Sequence, residues 1–217
     1  MSQWAVLFDW DGVVIDSSLM HEKSWEIVAE EYSLPLPEGH FQEGFGKRNE
    51  TIIPEILRWT EDPDKVSEIA FAKESAYRYL LKEEGIEALP GVRDFLDWLD
   101  SEGIPCVIAS STPRDNLLAA LPILDLENYF IGMISGDDVV KGKPNPEPFI
   151  KAAAIAGICP QKCLVLEDSH SGVEAGLSAG CRVIAVGTTH PLDSFSFAHA
   201  KVPDLKSLNF SQIKGWF

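Results

Sequence analysis

Asp9 and Asp11 stand two positions apart in Phe8-Asp9-Trp10-Asp11-Gly12-Val13-Val14, directly after the apolar run Trp4–Phe8. Closely spaced carboxylates repel, so such a pair needs a cation or divides into acid and base roles. Gly12 gives the chain freedom to turn beside them. A second acidic pair, Glu167-Asp168, closes the apolar run Leu164-Val165-Leu166 and is followed by Ser169. Oxygen-rich sites of this kind suit Mg2+, which takes carboxylates, water and phosphate oxygens. Ser110-Ser111-Thr112 follow another apolar run, Val107-Ile108-Ala109, ahead of a helix expected near Pro113. Hydroxyls and helix-start N–H groups suit a phosphate. Lys143 lies in Lys141-Gly142-Lys143-Pro144-Asn145-Pro146, where Pro144 stiffens the chain and fixes a positive charge. Gly46-Lys47-Arg48-Asn49, with His21 and Lys73, supplies groups that could hold an anionic substrate from the opposite side. Singly, each segment has a plainer reading: a strand-ending Asp-Gly turn, a helix N-cap, a surface Lys-Pro turn, or a solvated charged loop.

The apolar runs that carry these residues read as strands. Trp4–Phe8, Pro105–Ala109, Phe130–Ile134, Cys163–Leu166 and Arg182–Val186 are short and continuous, as strands buried on both faces are. Helical spacing marks Val92–Glu102, Pro148–Ala156 and Ser171–Ala179, each closed by a glycine. This alternation predicts an α/β fold with a parallel sheet covered by helices. Four of the five segments then sit at strand ends, where open α/β sheets bind ligands. Residues 17–88 hold no strand-like run. Their pattern is helical over Leu19–Tyr32, Glu50–Trp59 and Lys65–Glu84, which predicts a small second domain inserted after the first strand.

Composition narrows the function classes. The chain has 217 residues, 45% hydrophobic and 24% charged, enough for a buried core without staples. Its net charge is 18 − 34 = −16. Nucleic acid and anionic membranes are therefore not expected partners. No run reaches the roughly 18 apolar residues of a membrane span. The N-terminus lacks the basic region of a secretory signal. Cys106, Cys159, Cys163 and Cys181 form no CxxC pair, so reduced thiols in a cytoplasmic protein are expected.

Asp-x-Asp-Gly, then Ser, then Lys-Pro, then Glu-Asp, each in its expected setting, resembles the haloacid dehalogenase superfamily. The resemblance runs to about residue 188. Placement of the helical insertion resembles members with a type 1 (C1) helical cap. Phe8–Ser17, Gly142–Phe149 and Leu166–Ala175 are similar to the β-phosphoglucomutase and sugar-phosphate phosphatase group. The resemblance implies a Rossmann-like core over 1–16 and 89–217, with a cap over 17–88. It implies a Mg2+-dependent phosphatase of a small phosphorylated metabolite, with a β-phosphoglucomutase-type mutase as the alternative. Asp9 would be the nucleophile, forming an aspartyl-phosphate. Asp11 would be the acid and base. Ser110 and Lys143 would hold and neutralise the phosphoryl group. Asp9, Asp11 through its carbonyl, and Asp168 would bind Mg2+, with Glu167 beside them. Gly12, Ser111 and Asn145 would bind the substrate.

His21, Lys47, Arg48 and Lys73 match cap or linker groups that face the cleft in this group. Gly46-Lys47-Arg48-Asn49-Glu50 departs from the Ser-Arg stretch typical of the mutases and favours the phosphatase. An acid at Asp11 favours phosphate esters, since family dehalogenases lack one there. A monomer is expected. Trp10, between two acids, is expected to point away from them. Beyond residue 188, a last helix is expected from Asp204-Leu205, and His190 and His199 read as surface or structural residues.

Overall fold

In the computed structural model, residues 3–44 and 47–217 are described. Gly46 of the cationic segment lies outside them. The expected runs form strands β1 (Ala5–Phe8), β2 (Cys106–Ala109), β3 (Phe130–Ile134), β4 (Cys163–Glu167) and β5 (Arg182–Val186). With β6 (Ala200–Val202) they make one parallel sheet in the order β3-β2-β1-β4-β5-β6. β1, β2 and β4 are buried along their whole length, which is why they carry no polar alternation. From β1 the chain builds outward to β2 and β3, then returns to β4 on the other side. The strand order reverses at β1–β4, so a crevice opens beyond their carboxyl ends.

Helices cover both faces. Val6 and Phe8 of β1 point to the face packed by α5 (Val92–Ser101) and α6 (Arg114–Leu124). Ala5 and Leu7 point to the face packed by α7 (Glu147–Ala156) and α8 (His170–Ser178). Between β1 and α5 lie α1 (Ser18–Tyr32), α2 (His40–Gly44), α3 (Asn49–Thr51) and α4 (Pro63–Glu84). These pieces have their own apolar cluster, centred on Trp25, Val28, Ile53 and Val66. The helix expected over 50–59 widens into a π turn at Ile52–Ile56, closed by Leu57 N–H donating to Ile52 C=O at 2.9 Å. Pro54 sits inside that turn and has no N–H to give, a sufficient reason for the ladder to slip. The two crossings into this region lie side by side: Ile15 bridges Ala88, and Leu89 N–H donates to Val14 C=O at 2.8 Å.

The tail differs from its sequence reading. β6 carries little sequence signal, being three residues long, at the sheet edge, with Lys201 in its middle. Asp204 starts only a single turn, Leu205–Ser207, with its carboxylate accepting from Ser207 N–H. The last helix, α9 (Phe210–Lys214), begins after Asn209, whose side chain accepts from Gln212 N–H at 3.0 Å. Aromatic pairs then tie the tail to the core, Phe217 stacking on Trp4 at 4.8 Å and Phe210 on Trp98 at 4.8 Å. Gly91, at φ 86°, lets this tail touch the second crossing, since a Cβ there would lie 2.1 Å from Lys206 N. Gly91→Ala is expected to destabilise by about 1–2 kcal/mol from the left-handed backbone alone, with the backbone overlap adding to it. Thermal melting checks this, and an unchanged Tm would contradict it. Among the described residues the cysteines are free, and no helix is long and apolar enough to cross a membrane.

Candidate active site

Each strand end delivers one group. Asp9 follows β1, Ser110 follows β2, and Glu167 ends β4 with Asp168 next. Lys143 comes from the loop between β3 and α7, beside a cis bond to Pro144. After Asp9 the chain folds tightly. Val13, Val14 and Ile15 N–H groups all donate to the Trp10 carbonyl, and Gly12 N–H donates to Ile15 C=O at 2.7 Å. Trp10 is fully buried, edge-on to Phe130, and so turned away from the acids as alternation predicts. Gly12, at φ 78°, packs against the second acidic pair; a Cβ would sit 1.9 Å from Asp168 Oδ2.

The floor is a buried charge cluster. Lys143 Nζ lies 2.7 Å from Asp9 Oδ1 and 2.5 Å from Glu167 Oε1. Glu167 also accepts from Ser169 N–H at 3.0 Å and Ser169 Oγ–H at 2.9 Å. Burial alone would lower the Lys143 pKa, but Asp9 and Glu167 outweigh it and hold it above the usual lysine range. Burial and the Glu167 charge push Asp9 well above the usual carboxylate range, with Lys143 opposing. Burial and the same neighbour raise Asp168 to about 7. One oxygen from each of Asp9, Glu167 and Asp168 lies within 4.8 Å of the others. Three buried carboxylates share one lysine, and an all-oxygen set short of positive charge is what a hard divalent cation fits.

Asp11 is held apart from that trio. Its Oδ1 accepts from Ser17 Oγ–H and its Oδ2 from Thr112 Oγ–H. His21 Nε2 stands 3.9 Å from Oδ1. Ser110 is buried, and its Oγ accepts from Thr112 N–H at 3.0 Å. The hydroxyl hydrogen of Ser110 is thereby left for a ligand.

A cleft of about 650 Å³ opens above this floor. Asp9, Asp11, Ser110, Ser111, Lys143 and Asp168 line it from below. His21, Lys47, Arg48 and Lys73 line it from the helical region. Lys47 and Arg48 are exposed, with Arg48 Nε 3.6 Å from Glu50. Lys73 is buried, donating to His21 Nδ1 at 2.6 Å and Glu74 Oε1 at 2.9 Å. The Trp25 and Tyr77 rings stand 5.5 and 5.6 Å from its charge. Burial and then the Lys73 charge lower His21 to about 4, leaving its imidazole neutral. Burial alone would raise Glu74, but Lys73, His21 and Asn49 outweigh it and bring it to about 2.

Three expected site residues do not reach the cleft wall. Glu167 is fully buried behind Lys143. Gly12 makes room for Asp168, and Asn145 Oδ1 accepts from Glu147 N–H at 3.0 Å at the start of α7. Conversely, Thr189 Oγ–H donates to Asp168 Oδ2 and Thr188 Oγ–H to the Gly12 carbonyl. No local motif marks these threonines. Their place just past β5 is the one signal, the strand-end rule applied once more. His190, read as a surface or structural residue, also lines the cleft, stacked on His170 at 4.8 Å. His199 instead accepts from Val183 N–H at the sheet.

Known proteins resemble this chain in sequence and fold. The haloacid dehalogenase-like hydrolase family matches residues 6–186. A phosphorylated carbohydrates phosphatase of Thermotoga maritima is 36% identical over 193 residues, 87% of each chain. A β-phosphoglucomutase of Bacillus subtilis is 30% identical over 87% of this chain and 85% of its own. The chloroplastic 5-amino-6-(5-phospho-D-ribitylamino)uracil phosphatase of Arabidopsis thaliana is 31% identical, and this chain spans 56% of its length. The crystal structure of an Entamoeba histolytica HAD hydrolase, family IA, variant 3, superposes with a TM-score of 0.88 at 26% identity, covering 98% of both chains. The parallel sheet, the acids at its carboxyl edge and these similarities agree: the chain belongs to the haloacid dehalogenase-like hydrolase family.

Proposed function

We propose that this protein is a Mg2+-dependent phosphatase of a small phosphorylated metabolite, a sugar phosphate, working through a phosphoryl group carried on Asp9. One observation carries the reading: the Asp9 carboxylate is held 2.7 Å from Lys143 on the floor of a cleft that Asp11 also lines. Asp9 oxygen attacks phosphorus while the bond from phosphorus to the ester oxygen breaks, and Asp11 gives that oxygen a proton. Asp11 then takes a proton from the water that attacks the aspartyl-phosphate, releasing inorganic phosphate and restoring Asp9. Ser110 Oγ–H donates to the phosphoryl group, and Lys143 offsets charge on Asp9 and the phosphate. Asp9, Asp168 and the Asp11 carbonyl would hold Mg2+, with Glu167 behind them; the ion would neutralise phosphoryl charge.

The reading treats 17–88 as a cap joined to a core of 1–16 and 89–217, supported by the paired crossings at Ile15 and Ala88. His21, Lys47, Arg48 and Lys73 would face the rest of the substrate from the cap. The four free thiols fit a reducing, cytoplasmic setting, and the enzyme would act as a monomer. The test is turnover of phosphorylated metabolites, β-glucose 1-phosphate included, with Mg2+, scoring free phosphate and isomerised product together. Free phosphate, lost on adding EDTA, is expected. Glucose 6-phosphate with little free phosphate would overturn the phosphatase in favour of a mutase.

A further inference from the structure

Building on the reading of residues 17–88 as a cap, we infer that the Glu74–Asn116 hydrogen bond is the latch that keeps this cap closed over the cleft. Glu74, on α4, is buried at 8% exposure, and its two oxygens divide their partners. Oε1 accepts from Lys73 Nζ at 2.9 Å and from Asn49 Nδ2 at 2.7 Å. Both donors belong to the cap: Asn49 adjoins the exposed Lys47-Arg48 pair, and Lys73 reaches His21. Oε2 accepts from Asn116 Nδ2 at 2.5 Å, and Asn116 stands on α6 of the core. One carboxylate therefore ties two cleft-facing parts of the cap to the helix that follows Ser110 and Thr112.

The joint is specific. Asn116 is buried at 1% exposure, and its Oδ1 accepts from Arg78 at 3.0 Å. That donor fixes which end of the amide is oxygen, so the NH2 must face Glu74. The bond is short, charge-assisted and shielded from water, the setting in which a hydrogen bond is strongest. Asn116 does not line the cleft; it meets the cap through Glu74 and through Arg78, which is also on α4, and is a positioning residue.

Losing the latch lowers the closed fraction of the free enzyme, and saturating substrate restores it. Asn116→Ala removes this bond together with the one from Arg78 of α4, and is expected to raise KM for the best phosphate ester at least about tenfold to a hundredfold, the worth of the bond to the charged acceptor alone, with kcat within about twofold. Hydrogen exchange of the unliganded variant is expected to quicken along the facing turns of α4 and α6. Asn116→Asp sets a second carboxylate against Glu74 while keeping the contact to Arg78 of α4, so the quickened exchange expected there reports the Glu74 side of the joint. Adding Glu74→Gln to it restores a donor and an acceptor across the joint with reversed polarity, and exchange there should slow again. Wild-type KM and exchange in Asn116→Ala would overturn the latch. So would a fall in kcat with exchange unchanged. Should the protein turn over no phosphate ester, the exchange comparison still decides the latch by itself.

Discussion

Asp9→Asn is expected to lower kcat by about 10⁴-fold or more, the scale of losing a covalent nucleophile, while the fold survives intact. Asparagine keeps the size and the ability to accept from Lys143, and Lys143 keeps Glu167 at 2.5 Å as its charged partner. The native acid is the strained member of this group, since burial and the Glu167 charge push its pKa well above the usual range. A carboxylate with a raised folded pKa costs stability above its unfolded pKa and regains it in acid. Removing it should leave the metal-free protein melting at or above the wild-type Tm near neutral pH. Turnover assays with melting curves in EDTA check both halves. Wild-type-like turnover would sink the nucleophile, and a collapse of Tm would mean that the activity loss reported unfolding.

Lys143→Met is expected to do the opposite to stability. Its stem survives beside Phe149, but Asp9 and Glu167 lose their shared cation. Breaking a buried pair from one side costs about 3–5 kcal/mol. The sign with pH follows from the shifts. The raised Lys143 pKa means that its contribution is complete below the unfolded lysine value and lost only as pH rises through the folded one. Wild type therefore holds the full benefit at neutral pH. In the variant the deficit is greatest there and shrinks in acid, as the stranded carboxylates take up protons. Activity falls too, by about 10²–10³-fold, the scale of one preorganised electrostatic partner. Denaturant melts of the metal-free variant from acid to neutral pH test this. A deficit under about 1 kcal/mol at pH 7, the worth of an exposed pair, would contradict the buried geometry.

What the sequence made legible follows from how local each signal is. β1, β2 and β4 announce themselves because a strand buried on both faces must be apolar throughout, and the acids at their ends break that run abruptly. Lys143 was visible through its proline. Asn145 matched the substrate-binding reading in sequence, yet the cheaper local use of its amide, accepting from Glu147 N–H, takes it to the start of α7. Glu74, Asn116, Thr188 and Thr189 carried no local mark. Glu74 looks like one more acid on a long charged helix until Asn49, Lys73 and Asn116 converge on it from three parts of the chain. Thr189 matters only because β5 runs beside β4 and so brings it to Asp168. β6 and the aromatic tail are faint in the sequence for a related reason: short edge pieces owe their form to the surface they cover.

The most direct test of the account is to quench turnover in acid and weigh the peptide that contains Asp9. The account predicts one phosphoryl group on Asp9, released by hydroxylamine as an acyl phosphate is. With an activated donor such as acetyl phosphate, whose leaving group needs no acid, it further predicts more of that species in Asp11→Asn, which lacks the base that activates water. Unmodified Asp9 throughout turnover, or a phosphoryl group on another residue, would contradict it.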